Sequence, residues 1–472
     1  NGGALAGRPW GGRGGRGAVS TRLATSGLSV GVIAVGVDAH GPAGAEPELR
    51  TVATVGASLN KVGGDSAMSD LQVRREDGRV WIEAVPDGEF GVGWDRFLMA
   101  MQTLLRARGV DADMGTLMAM SGDAFNICHA SHWQGVADLC APIDPLRALT
   151  EAYGFEYDAT HQGYTGAILR QTGEEKRDLT EKALARLRRE IDAGRPVLIA
   201  GAEDHCGSCS VVVGYSEKDG TLCHVGDGEP YRWTPIRGVT PGAVDYGFGV
   251  IDGRSRGVMA PGANGGWYAN PIYLIGAKSV MPSARERAVS ALRVAVALHD
   301  SPTHKRPFWG GVEYFFGSRA YEEWETALRE LRYPDDLERD RSGDVTGFGT
   351  PDRWYTMDNM AIQVDQIVRG RSAAAKLLEQ SAELLPEASE SVRRAARHYR
   401  EEVSIARRNL HMFIPQAEDS VEGQEAERTA WLSDEASREA GAEAVAEMAA
   451  AEREAIAQIV QVLAAVDAEE AR

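Results

Sequence analysis

The chain holds 472 residues, 43% hydrophobic and 25% charged, enough for two or three domains at roughly 150 residues each. Acidic residues outnumber basic ones 69 to 51, a formal charge of −18, which argues against nucleic-acid and anionic-membrane partners because both need a basic footprint. No run reaches the roughly 18 apolar residues of a spanning helix, which argues against an integral membrane protein.

In chain order, residues 1–45 come first. They are Gly/Arg-rich up to Ser26, with Arg8, Arg13, Arg16 and Arg22 and no acid. An apolar run from Leu28 to Val37 and Ala43-Gly44-Ala45 follow. Basic segment, apolar core and an A-x-A site are the signal-peptide order, so the expectation is an exported protein; a disordered arm is the alternative.

Residues 51–58 and 79–85 read as strands, and 95–108 as a helix capped by Asp95, with Phe97, Met101, Leu104 and Leu105 on one face. A short helix covers 145–153 before Gly154. Asp178-Leu-Thr-Glu181 opens another, which carries Leu184, Leu187 and Ile191. Strands then crowd at 196–200, 210–215, 221–225, 248–251 and 272–275, with a turn at Ser216–Gly220. Helices first and antiparallel strands after predict an α+β layout over 46–280.

Past Pro282 the apolar period becomes helical. Ser283-x-x-Glu286 opens a helix over 284–299. Apolar stripes follow at Tyr321, Trp324, Leu328 and Leu331, at Val392, Ala395, Tyr399, Val403, Ala406 and Leu410, and at Ile456, Ile459, Val460, Leu463 and Val466. Together with 357–384 they predict five helices packed on one another or on the first domain: an all-α region over 281–416, with the last stripe, in 440–466, falling in the segment beyond it. Residues 417–472 carry 15 Asp/Glu against four Arg and read as an acidic Ala/Glu-rich tail, a solvated helix. Trp309, Phe315, Phe316 and Trp354 read as helix–helix packing.

Several short motifs together resemble a known family. They are M-x-x-L-L (Met101–Leu105), SGDAF (Ser121–Phe125), GRPVLIAG (Gly194–Gly201) and SVVVGY (Ser210–Tyr215), with a DG turn and a strand ending at Asp227 after them. Gly317-Ser-Arg-Ala-Tyr-Glu-Glu-Trp324 and Ala395-Ala-Arg-His-Tyr399 add to the likeness. Over about residues 80–410 the chain resembles the papain-like cysteine peptidase superfamily. It is similar to the bacteriocin-processing peptidase type and to the N-terminal domain of the butirosin-biosynthesis acyltransferase.

The resemblance implies a central helix packed on an antiparallel sheet, with a thiolate at the first turn of that helix. It also implies a His at the start of the SVVVGY strand and an orienting Asp or Asn after the next strand. Here the helix opens Trp94-Asp-Arg-Phe97, with no Cys, Ser or Thr in its first turn. Cys209 stands at the strand start, His205 lies four residues upstream, and Asp227 fits the orienting position. The implied activity is a thiol hydrolase or acyl/amide transferase acting on a peptide or small-molecule amide. Its rebuilt site would use Cys209, His205, Asp227, Asp95 and Glu203. A catalytically inactive ligand- or peptide-binding descendant is the alternative.

Cysteine spacing leaves other readings open. Cys206-Gly-Ser-Cys209 followed by Cys223-His224 suits a zinc site of Cys206, Cys209 and Cys223 with His205; otherwise no cofactor is expected. In an oxidising compartment Cys206 with Cys209, or Cys128 with Cys140, would form disulfides. His129 and His132 stand at helical spacing, as a ligand pair or as ordinary histidines.

Overall fold

The computed structural model describes residues 71–86, 96–130, 145–159, 184–200, 209–226, 229–235, 272–300, 313–330, 353–413 and 433–472, with 427, 430, 431 and a few two-residue strand pairs. All of them fall in one compact unit. The segments expected at 1–45, 51–58 and 178–181 lie outside the described residues.

The main sheet is antiparallel. It is built from β1 (Val73–Glu76), β2 (Arg79–Ile82), β4 (Phe155–Ala159), β5 (Val197–Ala200), β6 (Cys209–Ser216), β7 (Thr221–Gly226), β8 (Glu229–Pro235) and β9 (Ile272–Lys278). Its centre is β6, where Val211, Val212 and Val213 are all buried, as a continuous β-branched run requires when both faces are covered. β5 and β2 follow one another along one edge of β6, with Ala200 opposite Cys209 and Arg79 opposite Ser216. β7 and then β8 line the other edge. Gly214 is required here: a Cβ would stand 2.7 Å from the Trp81 Cβ and 3.0 Å from the Cys223 Cβ.

Helix α1 (Arg96–Arg106) packs on β5 and β6 through the expected apolar face, burying Phe97, Leu98, Met101, Leu104 and Leu105. Two residues past it, Arg108 donates to the carbonyls of Ile275 and Gly276 in β9, fastening that end of the helix to the sheet. α2 (Met114–Ser121), not anticipated, is capped by Asp113, which accepts from the Thr116 amide and also pairs with Lys376. α3 (Pro145–Ala152) and the helical residues 184–192 (α4) match expectation.

The rest is mostly helix: α5 (Ala284–His299), α6 (Gly317–Glu330), α7 (Arg353–Leu384), α8 (Ser389–Arg408) and α9 (Glu435–Glu470). Both halves of the Ser283/Glu286 capping box form. Among the described residues no strand after β9 joins the main sheet. Instead β3 (Cys128–Ala130) pairs with β11 (Glu313–Phe316), and β11 with β10 (His304–Lys305), in a separate small sheet.

One apolar cluster runs from Val80 in β2 to Val466 in α9, so the helices and the sheet share a core. The solvated-helix reading of the C-terminal acidic segment is therefore corrected. α9 buries Ala442, Val445, Met448, Ala455, Ile456, Ile459, Val462 and Val466, its Ala-rich face matching close neighbours while every acid except the buried Glu452 faces out. The stripe is rotated from the expected one: Val460 is 47% exposed and Val462 takes the buried place.

Candidate functional site

Antiparallel pairing sets which chain ends meet. β5 ends at Ala200 opposite the start of β6 at Cys209, and β9 begins at Ile272 opposite Ile199. On the other edge Val211 faces Val225, so Cys209, two residues earlier, is level with the end of β7, after which Asp227 follows. The connection carrying Glu203, His205 and Cys206 joins Ala200 to Cys209 at this same end. Asp95, Glu203, His205, Cys206 and Asp227 themselves lie outside the described residues, and Cys209 is described through its backbone. The far end of α1 is fastened at Ile275 and Gly276, towards the middle and far half of β9. Phe97 and Leu98 in its first turn are buried, so that turn presents no nucleophile, as its sequence indicated.

Cys223 does not join Cys209. It pairs with Gly214, five residues along β6 from Cys209, which at about 3.3 Å per residue is roughly 16 Å. Two thiolates on one zinc, each about 2.3 Å from it, lie within roughly 5 Å of each other. The proposed set of Cys206, Cys209 and Cys223 thus loses Cys223, whose thiol is buried and pushed up to about 12 by desolvation. Its neighbour His224 points to the opposite face, is also buried, and is lowered to about 4 by burial. Among the described residues no group of three His, Cys, Asp or Glu is placed to hold a metal ion.

The second polar region of the sequence also changes character. Cys128-His129 stands in β3, not a helix, with His129 opposite Phe315. His129 is buried and lowered to about 4, chiefly by desolvation. The Gln363 amide donates to the Cys128 carbonyl at 2.7 Å and lies 3.3 Å from the His129 Nδ1. The imidazole is therefore neutral at pH 7. His132 and Cys140 lie outside the described residues.

Sequence reasoning missed a buried polar centre, formed by Arg371, Glu402, Glu452, Tyr321 and Tyr399. A signal existed. Each charged member sits seven residues after an apolar stripe position: Arg371 after Val364, Glu402 after Ala395, Glu452 after Val445. A charge on the buried period of a helix marks a buried partner.

The chain matches no protein-family model, and no curated protein matches it. Among the described residues no helix is long and apolar enough to cross a membrane.

Proposed function

We propose that this protein is a thiol hydrolase or acyl/amide transferase of papain-like descent, acting on a peptide or amide at the Cys209 end of the sheet. The observation that supports the reading is the strand register. It sets Cys209 level with the end of β7, from which Asp227 follows, beside the connection that carries His205. In this reading the Cys209 thiolate attacks the carbonyl carbon and the leaving amine takes its proton from His205. Water or an acceptor amine then releases the acyl group from the thioester, while Asp227 orients His205. Asp95 and Glu203 supply polar contacts to the substrate. Export, if residues 1–45 act as a signal, would favour an extracytoplasmic substrate.

The test is turnover of a panel of peptide amides and thioesters. Cys209→Ala should abolish it and Cys223→Ala should not; activity retained in Cys209→Ala ends the reading. A second reading, an inactive peptide- or ligand-binding protein, is favoured by one observation: the first turn of α1 buries Phe97 and Leu98 and carries no thiol or hydroxyl. It expects binding without turnover, unchanged in Cys209→Ala.

A further inference from the structure

Arg371 in α7 is completely buried, a placement that costs several kcal/mol unless every donor is met. Each of its three nitrogens has a polar partner. Nε lies 2.9 Å from Glu452 in α9 and 3.3 Å from Glu402 in α8. One terminal nitrogen donates to the carbonyls of Ala124 and Asn126, and the other to the Tyr321 hydroxyl of α6. The Tyr399 ring of α8 lies beneath it, 5.6 Å from ring centre to guanidinium carbon. Tyr321 in turn donates a short hydrogen bond to Glu402. Gly370 lets α7 come this close, since a Cβ there would stand 3.1 Å from the Ala124 carbonyl oxygen. Three motifs that carry no part of the proposed chemistry meet at this centre: the SGDAF turn, Tyr321 of the GSRAYEEW helix, and Tyr399 of AARHY.

The charges do not balance as ionised groups. One guanidinium faces two carboxyls, both essentially without solvent exposure. We propose that Glu402 and Glu452 hold one proton between them, and that this proton makes the buried centre neutral and locks the SGDAF turn to the helices around it. Ionising both would leave a net negative charge away from water, which is far costlier than binding a proton.

The surroundings agree. Burial, with Glu402 adding to it, holds the Glu452 carboxyl well above the usual carboxylate range despite the pull of Arg371. Both carboxyls crowd the same Arg371 Nε, Glu452 at 2.9 Å and Glu402 at 3.3 Å. Burial opposes charge on Arg371, but Glu452 and Glu402 more than offset it, so the guanidinium stays ionised. Tyr321 and Tyr399 are pushed up by burial and stay neutral. From α5, His299 reaches within 4.0 Å of Glu452 and is lowered by burial, with Asp300 and Arg453 the charged groups next to it, so it brings no cation to the centre at neutral pH. On the turns flanking α8, Glu387 pairs with Arg285 at the helix ends and His411 is exposed.

The folded chain keeps this proton, and the unfolded chain loses it above about pH 4.5. Unfolding therefore releases a proton, and its equilibrium constant rises by about tenfold per pH unit until the folded pair itself ionises.

The experiment compares urea unfolding of the wild-type chain, Glu452→Gln and Glu402→Gln/Glu452→Gln from pH 5.5 to 8.5. Glutamine is the isostere of the protonated acid. Glu452→Gln should fold and should gain on the wild type by about tenfold in unfolding constant per pH unit. The double variant leaves Arg371 unpaired and should unfold at least about a hundredfold more readily than Glu452→Gln. Infrared spectra at pH 7.5 should show a protonated-carboxyl C=O band that is lost in Glu452→Gln. Parallel pH profiles, a double variant as stable as the single one, a Glu452→Gln chain that cannot fold, or no carboxyl band would each overturn the proposal.

Discussion

Cys223 is fully buried in β7, and loss of hydration holds its thiol protonated. With a value near 12, its thiolate fraction at pH 8 is on the order of one in ten thousand. Cys209, in the proposed site, should therefore react with iodoacetamide much faster than Cys223, as measured by peptide mapping of the native protein. Comparable labelling of the two would remove the case for an activated thiol. Alkylation without reductant adds a check: a Cys206–Cys209 disulfide would block labelling at both and would require reduction before any turnover.

The buried histidines act at the other end of the pH scale. His129 and His224 are each lowered to about 4 by burial. Unfolding frees them to bind protons below about pH 6.5, so they favour the folded state above that pH and lose this contribution as pH falls towards 4. Each makes the chain lose up to about 1.4 kcal/mol per pH unit across that window. His129→Gln should flatten the pH 4.5–6.5 limb of a urea-stability profile by one proton. An unchanged slope would mean that His129 is protonated in the folded chain.

At the scale of elements, caps and faces carry the energetics. The Ser283 side chain accepts from the Glu286 amide and the Glu286 carboxylate accepts from the Ser283 amide, satisfying two of the backbone donors left open at the start of α5. Ser283→Ala should cost about 1 kcal/mol by chemical denaturation. On α9 the orientation of the buried face is testable with adjacent residues. Ile459→Ala removes a fully buried side chain and should cost about 2–5 kcal/mol. Val460→Ala, at a position 47% exposed, should stay within about 0.5 kcal/mol. Similar costs for the two would mean that the helix is rotated from the face described.

For the molecule as a whole, a core that runs from β2 through α9 couples the sheet to the helices. α9 also supplies Glu452, without which Arg371 keeps Glu402 as its single carboxylate partner among the described residues. A chain ending before Glu435 should therefore lose fixed tertiary packing throughout rather than shed an appendage. Near-UV circular dichroism of the truncated chain should show this. In the full chain, near-UV and far-UV signals should report one coincident unfolding transition. Two separated transitions would show that sheet and helices fold independently.

Much of the fold was legible in the sequence because its signals are local. The Ser283 cap, the Gly stops after α1 and α3, the Val run of β6 and the turn at Ser216–Gly220 depend on residues a few positions apart, and each element formed where its period or cap indicated. The α+β order and the helical C-terminal region follow from them. Register is not local. It depends on which strands find each other, and it separated Cys223 from Cys209 while bringing the end of β7 level with the start of β6. Composition also misled for α9, because Ala and Glu read as solvated until a neighbouring surface takes up the Ala face. The buried centre needed tertiary structure most. Arg371, Glu402 and Glu452 are ordinary helix residues one helix at a time, and only the meeting of three helices withdraws water from them and forces their charges to be settled together.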